Sequence, residues 1–255
     1  MTKKIHEFDS GVRVHDSHIL ESQRKRYEEE NVHEAEEDEI FQDLVKEILP
    51  QEVYVNVGSA IGYYPILAKR KRPSVDVHAY EPLSDFREKF RHNISLNRIN
   101  EDGIFIHGEA VGKEEGWARL MNSGYGSRLL DEEVDGVKSL LREGWLSLQA
   151  ALTSVGISIL GEVRFVRKIT LDQIAEDIGG DIGLLQMDVQ GLEYAVLEGG
   201  KRTLQEGVVH AFLIGTHGEK LHQDCKHILN QFGYEMEVDL ENTEQQPDGI
   251  LVAQK

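Results

Sequence analysis

Apolar residues in this chain gather in short continuous runs, and amphipathic stretches separate them. Val53 to Val57, Val75 to Tyr80, Ile104 to His107, Val163 to Arg167, Ile182 to Met187 and Val208 to Ile214 are β-prone runs with turn residues or polar segments between them, the pattern of strands buried on both faces. Between them the period changes. Ile40, Phe41, Leu44, Val45 and Ile48 recur at helical spacing, predicting a helix from about His33 to Leu49 that ends at Pro50. Its acidic residues are expected to form a solubilising face in water. Further helices are predicted from Tyr63 to about Arg72, from a Ser84 cap to about Leu96, over Leu171 to Ile178, after Gly191, and from Leu221 to Phe232. A hairpin of Glu235 to Leu240 with Gly249 to Ala253 closes the chain. The alternation predicts an α/β fold, a doubly wound and mostly parallel sheet with an antiparallel terminal hairpin.

Two regions interrupt this regularity. Residues 1 to about 26 show no clear period and read either as a flexible arm or as a lid, with His15, His18, Arg24 and Arg26 on the surface. Residues 1–50 are accordingly expected to be an N-terminal helical extension to a domain spanning 51–255. Within that domain, 112–163 reads as an insertion. It contains a short strand near Trp117 to Leu120, a glycine-rich turn from Gly124 to Ser127 and an amphipathic helix from Val137 to Leu152. Its place over the carboxyl edge of the sheet suits a substrate lid.

The stretch from Val53 to Pro82 carries the first chemical signal. It reads as strand, glycine turn, helix, and second strand ending on Glu81. Such a turn offers free backbone N–H groups at a helix N-terminus. An acid at the end of the second strand can accept hydrogen bonds from both hydroxyls of a ribose. The turn is Gly58-Ser-Ala-Ile-Gly62, a G-x-x-x-G, and lacks the G-x-G-x-x-G that makes room for a pyrophosphate. A nucleoside cofactor without phosphates fits better, S-adenosylmethionine being the common one.

Three blocks in order, Asn56-Val-Gly-Ser-Ala-Ile-Gly-Tyr-Tyr64, Tyr80-Glu-Pro82 and Asp188-Val-Gln-Gly-Leu-Glu193, resemble the FkbM-type family of S-adenosylmethionine-dependent methyltransferases, over roughly His33 to Ala253. The resemblance implies a seven-stranded Rossmann-like domain and methyl transfer, O-directed, to a small-molecule or sugar-containing acceptor. The expected cofactor-binding residues are Asn56, Gly58, Ser59, Ala60, Gly62, Tyr63, Glu81, Pro82, Glu109 and Asp188. Glu109 enters as an adenine-side contact implied by the resemblance, with an ordinary loop carboxylate as its alternative.

Methyl transfer needs an aligned acceptor and, for a hydroxyl, a proton acceptor. Asp188 and His217 end successive strands and are the catalytic candidates. His217 is the first choice for the base, because imidazole can be neutral and basic near neutral pH. Asp188 serves as base, metal ligand or helix cap, and Glu193 shapes the pocket or hydrogen-bonds the turn carrying Asp188. A divalent ion on Asp188, His217 and His222 is the weaker alternative. Asn56 and Gln190 depart from the resemblance, which has Asp and Glu there, and both remove negative charge.

Composition sets outer limits. Net charge is −18, from 28 basic and 46 acidic side chains, which disfavours nucleic acid and anionic membranes as partners. Lys69-Arg-Lys-Arg72 is the one basic run and suits a solvated helix end. Cys225 is alone and no 18-residue apolar run occurs, giving the expectation of a soluble, cytoplasmic protein. Two rival functions come from other classes. A nucleotide-dependent oxidoreductase is disfavoured by the missing dinucleotide fingerprint, and a cofactor-binding protein without catalysis is suggested by Asn56 and Gln190.

Overall fold

The computed structural model describes residues 4–121, 128–129, 163–241 and 249–255. In chain order the strands are β1 (Ile5–Glu7), β2 (Arg13–His15), β3 (Val53–Val57), β4 (Asp76–Tyr80), β5 (Ile104–His107), β6 (Ala110–Val111), β7 (Gly116–Met121), β8 (Arg128–Leu129), β9 (Val163–Ile169), β10 (Ile182–Met187), β11 (Val209–Thr216), β12 (Glu235–Leu240) and β13 (Gly249–Gln254). The helices are α1 (Glu21–Glu29), α2 (Ala35–Glu47), α3 (Tyr63–Lys71), α4 (Ser84–Asn97), α5 (Leu171–Ile178), α6 (Glu193–Glu198), α7 (Lys201–Glu206) and α8 (Glu219–Gln231).

Seven strands form the central sheet in the order β12-β13-β11-β10-β3-β4-β5. All pairs among β11, β10, β3, β4 and β5 are parallel, and β13 runs antiparallel to both β11 and β12. The terminal hairpin therefore inserts its second strand between β11 and β12 and leaves β12 at the edge. Strand alternation divides the sheet between two apolar cores. Tyr54 packs in one with Phe41, Ile66 and Phe90 from α2, α3 and α4, while Val55 and Val57 pack in the other with Ile174, Leu197 and Ile228. β10 is buried at all six positions, as its mostly apolar run predicts.

The first 50 residues differ from the expected helical extension. β1 and β2 pair as an antiparallel hairpin, and Phe8, Val12, Val14, Ile19 and Tyr27 are buried in the same core as α2 and α3. Asn97 on α4 bonds both the N–H and the carbonyl of Arg13, so the segment is anchored rather than a loose arm. His18, expected at the surface, is buried and hydrogen-bonds Asn93. The acidic face of α2 is also not all in water, since Glu37 and Asp38 are buried. Ser84 does not cap α4. The capping position is Leu83, and the Ser84 hydroxyl lies against Asp85 and Arg164.

β9 belongs to a second sheet of order β6-β9-β7-β8 and not to the central one. The predicted turn at 124–127 and helix at 137–152, the body of the expected lid, lie outside the described residues.

Candidate active site

β3 and β10 are adjacent parallel strands from which the order runs outward in both directions, the switch point where open α/β sheets bind ligands. A cavity of ≈ 240 Å³ opens over their carboxyl ends. It is lined by the turn after β3, by Tyr80, Glu81 and Pro82 after β4, by Glu109 after β5, and by Asp188, Val189 and Gln190 after β10. All ten residues expected to hold a cofactor face this one cavity except Gly62, which sits at the left-handed N-cap of α3.

The two turn glycines have packing reasons. Gly58 has φ +88, and a Cβ there would lie 2.1 Å from the Asp188 carbonyl oxygen. At Gly62, φ is +83 and a Cβ would lie 1.9 Å from the Phe90 ring. Each allows a close approach of protein to protein, which draws the β3 turn against β10 and α3 against α4. The N–H groups of Gly58 and Ser59 both donate to the Tyr80 carbonyl, which fixes the turn to the end of β4.

Glu81 is buried at 5% exposure. Its carboxylate accepts from Ala60 N at 2.9 Å and Leu83 N at 2.8 Å, so its position is set by backbone on both sides. Burial pushes its pKa up to about 7, against the pull of those two N–H groups and of Arg87. Asn56 donates to Gln186 Oε1 at 3.2 Å, while its own Oδ1 is buried without a hydrogen-bond partner. Gln186 also accepts from Tyr54 OH and donates to Glu37 Oε1 at 2.6 Å. A polar chain therefore runs from the N-terminal segment under the cavity floor. Desolvation, reinforced by the nearby Asp188 charge, raises Glu37 to about 8. Tyr63 lines the cavity, but its hydroxyl is committed to Asp38 and Ser10.

At the mouth, four polar side chains among the described residues meet. Fully buried Glu193 accepts from Val189 N at 3.0 Å and Gly191 N at 3.2 Å, and lies 3.1 Å from His217 Nδ1. Gln190 Nε2 lies 3.0 Å from Asp188 Oδ1 and 2.8 Å from His217 Nε2. The proton positions follow from donor rules. An ionised Asp188 only accepts, so Gln190 must present its NH₂ group there. His217 Nε2 must then accept, and Nδ1 carries the proton toward Glu193. Glu193 thus fixes the tautomer that leaves Nε2 basic. His217 does not itself line the cavity and reaches it through Asp188 and Gln190.

His222 stands apart, buried between Thr216 Oγ1 and Asp239 Oδ1 at 2.8 Å each. The expected metal set Asp188, His217 and His222 is not assembled, because both imidazole nitrogens of His222 are already engaged, by β11 and β12. The residue that joins Asp188 and His217, with ligand atoms within 4.8 Å of one another, is Glu193. Sequence reasoning missed Glu37, Gln186 and the cavity-lining Gln23, His33 and Glu34. A glutamine inside the apolar run of β10 was the available signal, since a buried amide requires partners.

A mostly parallel seven-stranded sheet with the antiparallel β13 inserted between β11 and β12, and a cavity at its switch point, is the fold of the Rossmann-like methyltransferase class. Within that class, the chain belongs to the methyltransferase FkbM domain family, whose match spans residues 56–236. Among solved structures, it is similar to the methyltransferase FkbM from Methylobacillus flagellatus KT, at 15% identity and TM-score 0.51, with 80% of this chain and 44% of that one covered. The chain therefore spans less than half the length of that relative. Magnesium protoporphyrin IX methyltransferase from Synechocystis PCC 6803 is also similar, at 10% identity and TM-score 0.49, over 88% and 79% of the two chains. No curated protein matches. No helix among the described residues is long and apolar enough to cross a membrane.

Proposed function

We propose that this protein transfers a methyl group from S-adenosylmethionine to a hydroxyl of a small-molecule or sugar-containing acceptor. The observation that carries the reading is Glu81, held by Ala60 N and Leu83 N at the edge of a cavity over the switch point. Its carboxylate keeps lone pairs for a ribose diol. The cavity's polar lining fits such a ligand. Asn56 Oδ1 is a buried acceptor without a partner, and Glu34, Glu81, Glu109 and Asp188 surround the space with carboxylates. That field favours a cationic ligand and opposes a pyrophosphate, which disfavours the dinucleotide alternative.

Bound there, S-adenosylmethionine supplies an electrophilic methyl group on a sulfonium. The chain's own residues do the rest. Glu81 and the 58–62 turn orient the nucleoside, Glu109 and Pro82 border it, and Asp188 faces the mouth. His217 Nε2 accepts the acceptor's proton, with Nδ1–H held on Glu193. The step balances as follows: the O–H bond breaks toward the imidazole, and the acceptor oxygen gains the methyl group. The electron pair of the broken sulfur–methyl bond leaves with sulfur as the neutral thioether S-adenosylhomocysteine.

Glu81→Ala is expected to weaken S-adenosylmethionine binding by about tenfold or more, since each hydrogen bond to a charged group contributes about 1.5–3 kcal/mol. Because the Glu81 pKa stands at about 7 and hydroxyls donate to the anion, wild-type affinity should rise as pH passes from 6 to 8. Calorimetry of S-adenosylmethionine and S-adenosylhomocysteine across that range measures both effects. An affinity unchanged by the substitution would remove the ribose assignment.

A further inference from the structure

Gln190 stands out from its surroundings. Among the described residues it is one of three other than glycine with positive φ, at +56, and is followed by Gly191 at +100. This left-handed step aims its carboxamide back across the mouth of the cavity, where one nitrogen serves both Asp188 Oδ1 and His217 Nε2. Those two acceptors are 3.5 Å apart. A single O–H satisfies one of them. An amide NH₂ satisfies both, because it carries two donor hydrogens.

We propose that the Gln190 carboxamide holds the place of the methyl acceptor, and that the acceptor is a molecule with two adjacent hydrogen-bond donors, a vicinal diol, that enters by displacing it. One hydroxyl then donates to His217 Nε2 and is the one methylated, while its neighbour donates to Asp188 and fixes the register. The proposal rests on the methyltransferase reading for its chemistry, but the latch itself is a property of the free protein. The backbone supports the displacement. Val189 N and Gly191 N are tied to Glu193, so the turn stays in place while the exposed Gln190 side chain swings out. His217 keeps its Nδ1–H on Glu193 throughout, which makes Gln190 a gate on the base and not part of it.

The test reads His217 directly. Acylation of each histidine by diethyl pyrocarbonate, followed by peptide mass mapping, measures how available Nε2 is. Gln190→Asn keeps a residue that tolerates the left-handed backbone but shortens the amide by a methylene, and Gln190→Gly removes it. Both should acylate His217 about fivefold to tenfold faster than wild type, the loss of one hydrogen bond of ordinary strength. His222, buried in its own pair, should not change in any variant and reports an intact fold. In Gln190→Gly, methyl β-D-ribofuranoside should protect His217 and its 2-deoxy counterpart should not.

An unchanged acylation rate in both variants would overturn the latch. Equal protection by the diol and the deoxy sugar, or none by either, would overturn the paired-donor acceptor. Protection by magnesium or manganese ions alone would overturn it in favour of a cation between Asp188, Glu193 and His217. Separate titration with S-adenosylhomocysteine distinguishes these results from failure of the cofactor reading, since the latch predicts faster acylation whether or not that ligand binds.

Discussion

His217→Ala is expected to lower methyl transfer by about 10²- to 10⁴-fold, the range supplied by a positioned proton acceptor, and to leave S-adenosylmethionine affinity nearly intact. The geometry makes this specific to one nitrogen. Nδ1 is committed to Glu193 at 3.1 Å, so Nε2 is the nitrogen that meets a substrate proton. Wild-type activity should fall on acidification, because only neutral imidazole accepts a proton. Glu193→Gln should also lower turnover, since the amide oxygen, held by Val189 N and Gly191 N, still accepts from Nδ1–H but no longer offsets the positive charge that the imidazole gains with the proton. A transfer assay with labelled S-adenosylmethionine, run beside calorimetry, separates turnover from binding. Near-normal turnover in His217→Ala would make the histidine structural. A rate abolished by chelator, with Asp188→Asn at least as damaging, would indicate a metal instead of a base.

Stability should fall by about 2–3 kcal/mol from about pH 6.5 to 8, a tenfold change in proton affinity being worth about 1.36 kcal/mol. Burial holds Asp38 at about 6, Glu81 at about 7 and Glu37 at about 8. Unfolding lets each ionise near its ordinary value of about 4. Their contribution is therefore full below about pH 4 and is lost as pH rises through these higher values. Burial acts the opposite way on His33, His18 and His78, lowered to about 3, 4 and 4. Unfolding lets them take up protons below about 6.5, so their contribution falls as pH drops through that value. Between about pH 4.5 and 6.5 the two sets oppose each other, with His6 and His107, also lowered by burial, on the histidine side, and above that range only Glu81 and Glu37 remain. Melting temperature against pH measures the curve. Glu37→Gln copies the protonated acid, and should remove most of the decline between about pH 7 and 8. A melting temperature that climbs over the alkaline half of the range, or a variant that declines like wild type, would contradict the assignment.

Some of this was legible in the chain because the relevant physics is local. Val53–Val57, the glycine turn, and a second strand ending on Glu81 follow one another without a break, and strand period, turn chemistry and an acid after an apolar run need no partner from elsewhere. The mostly apolar run of β10 likewise gave a central strand with Asp188 at its exit. The terminal hairpin was visible as a pair, but its place in the sheet was not. Sequence adjacency says that β12 and β13 pair, while only the packed sheet decides that β13 lies against β11.

The acids of α2 show where local reading stops. Helical period sends Glu37 and Asp38 to water, yet their partners are Gln186, 149 residues away, and Tyr63 on α3. Likewise, spacing made His222 the natural companion of His217, and the fold chose Glu193 instead. Gly58 and Gly62 are visible in the chain as a turn motif, but the contacts that require them, the Asp188 carbonyl and the Phe90 ring, exist only after β10 and α4 have packed. The sequence by itself determined the elements, their order and the turn that faces a nucleoside, because hydrophobic period and backbone preference act between near neighbours. The tertiary structure alone decided which polar groups share protons at the site, because a buried donor or acceptor takes whichever partner the crossovers bring within about 3 Å.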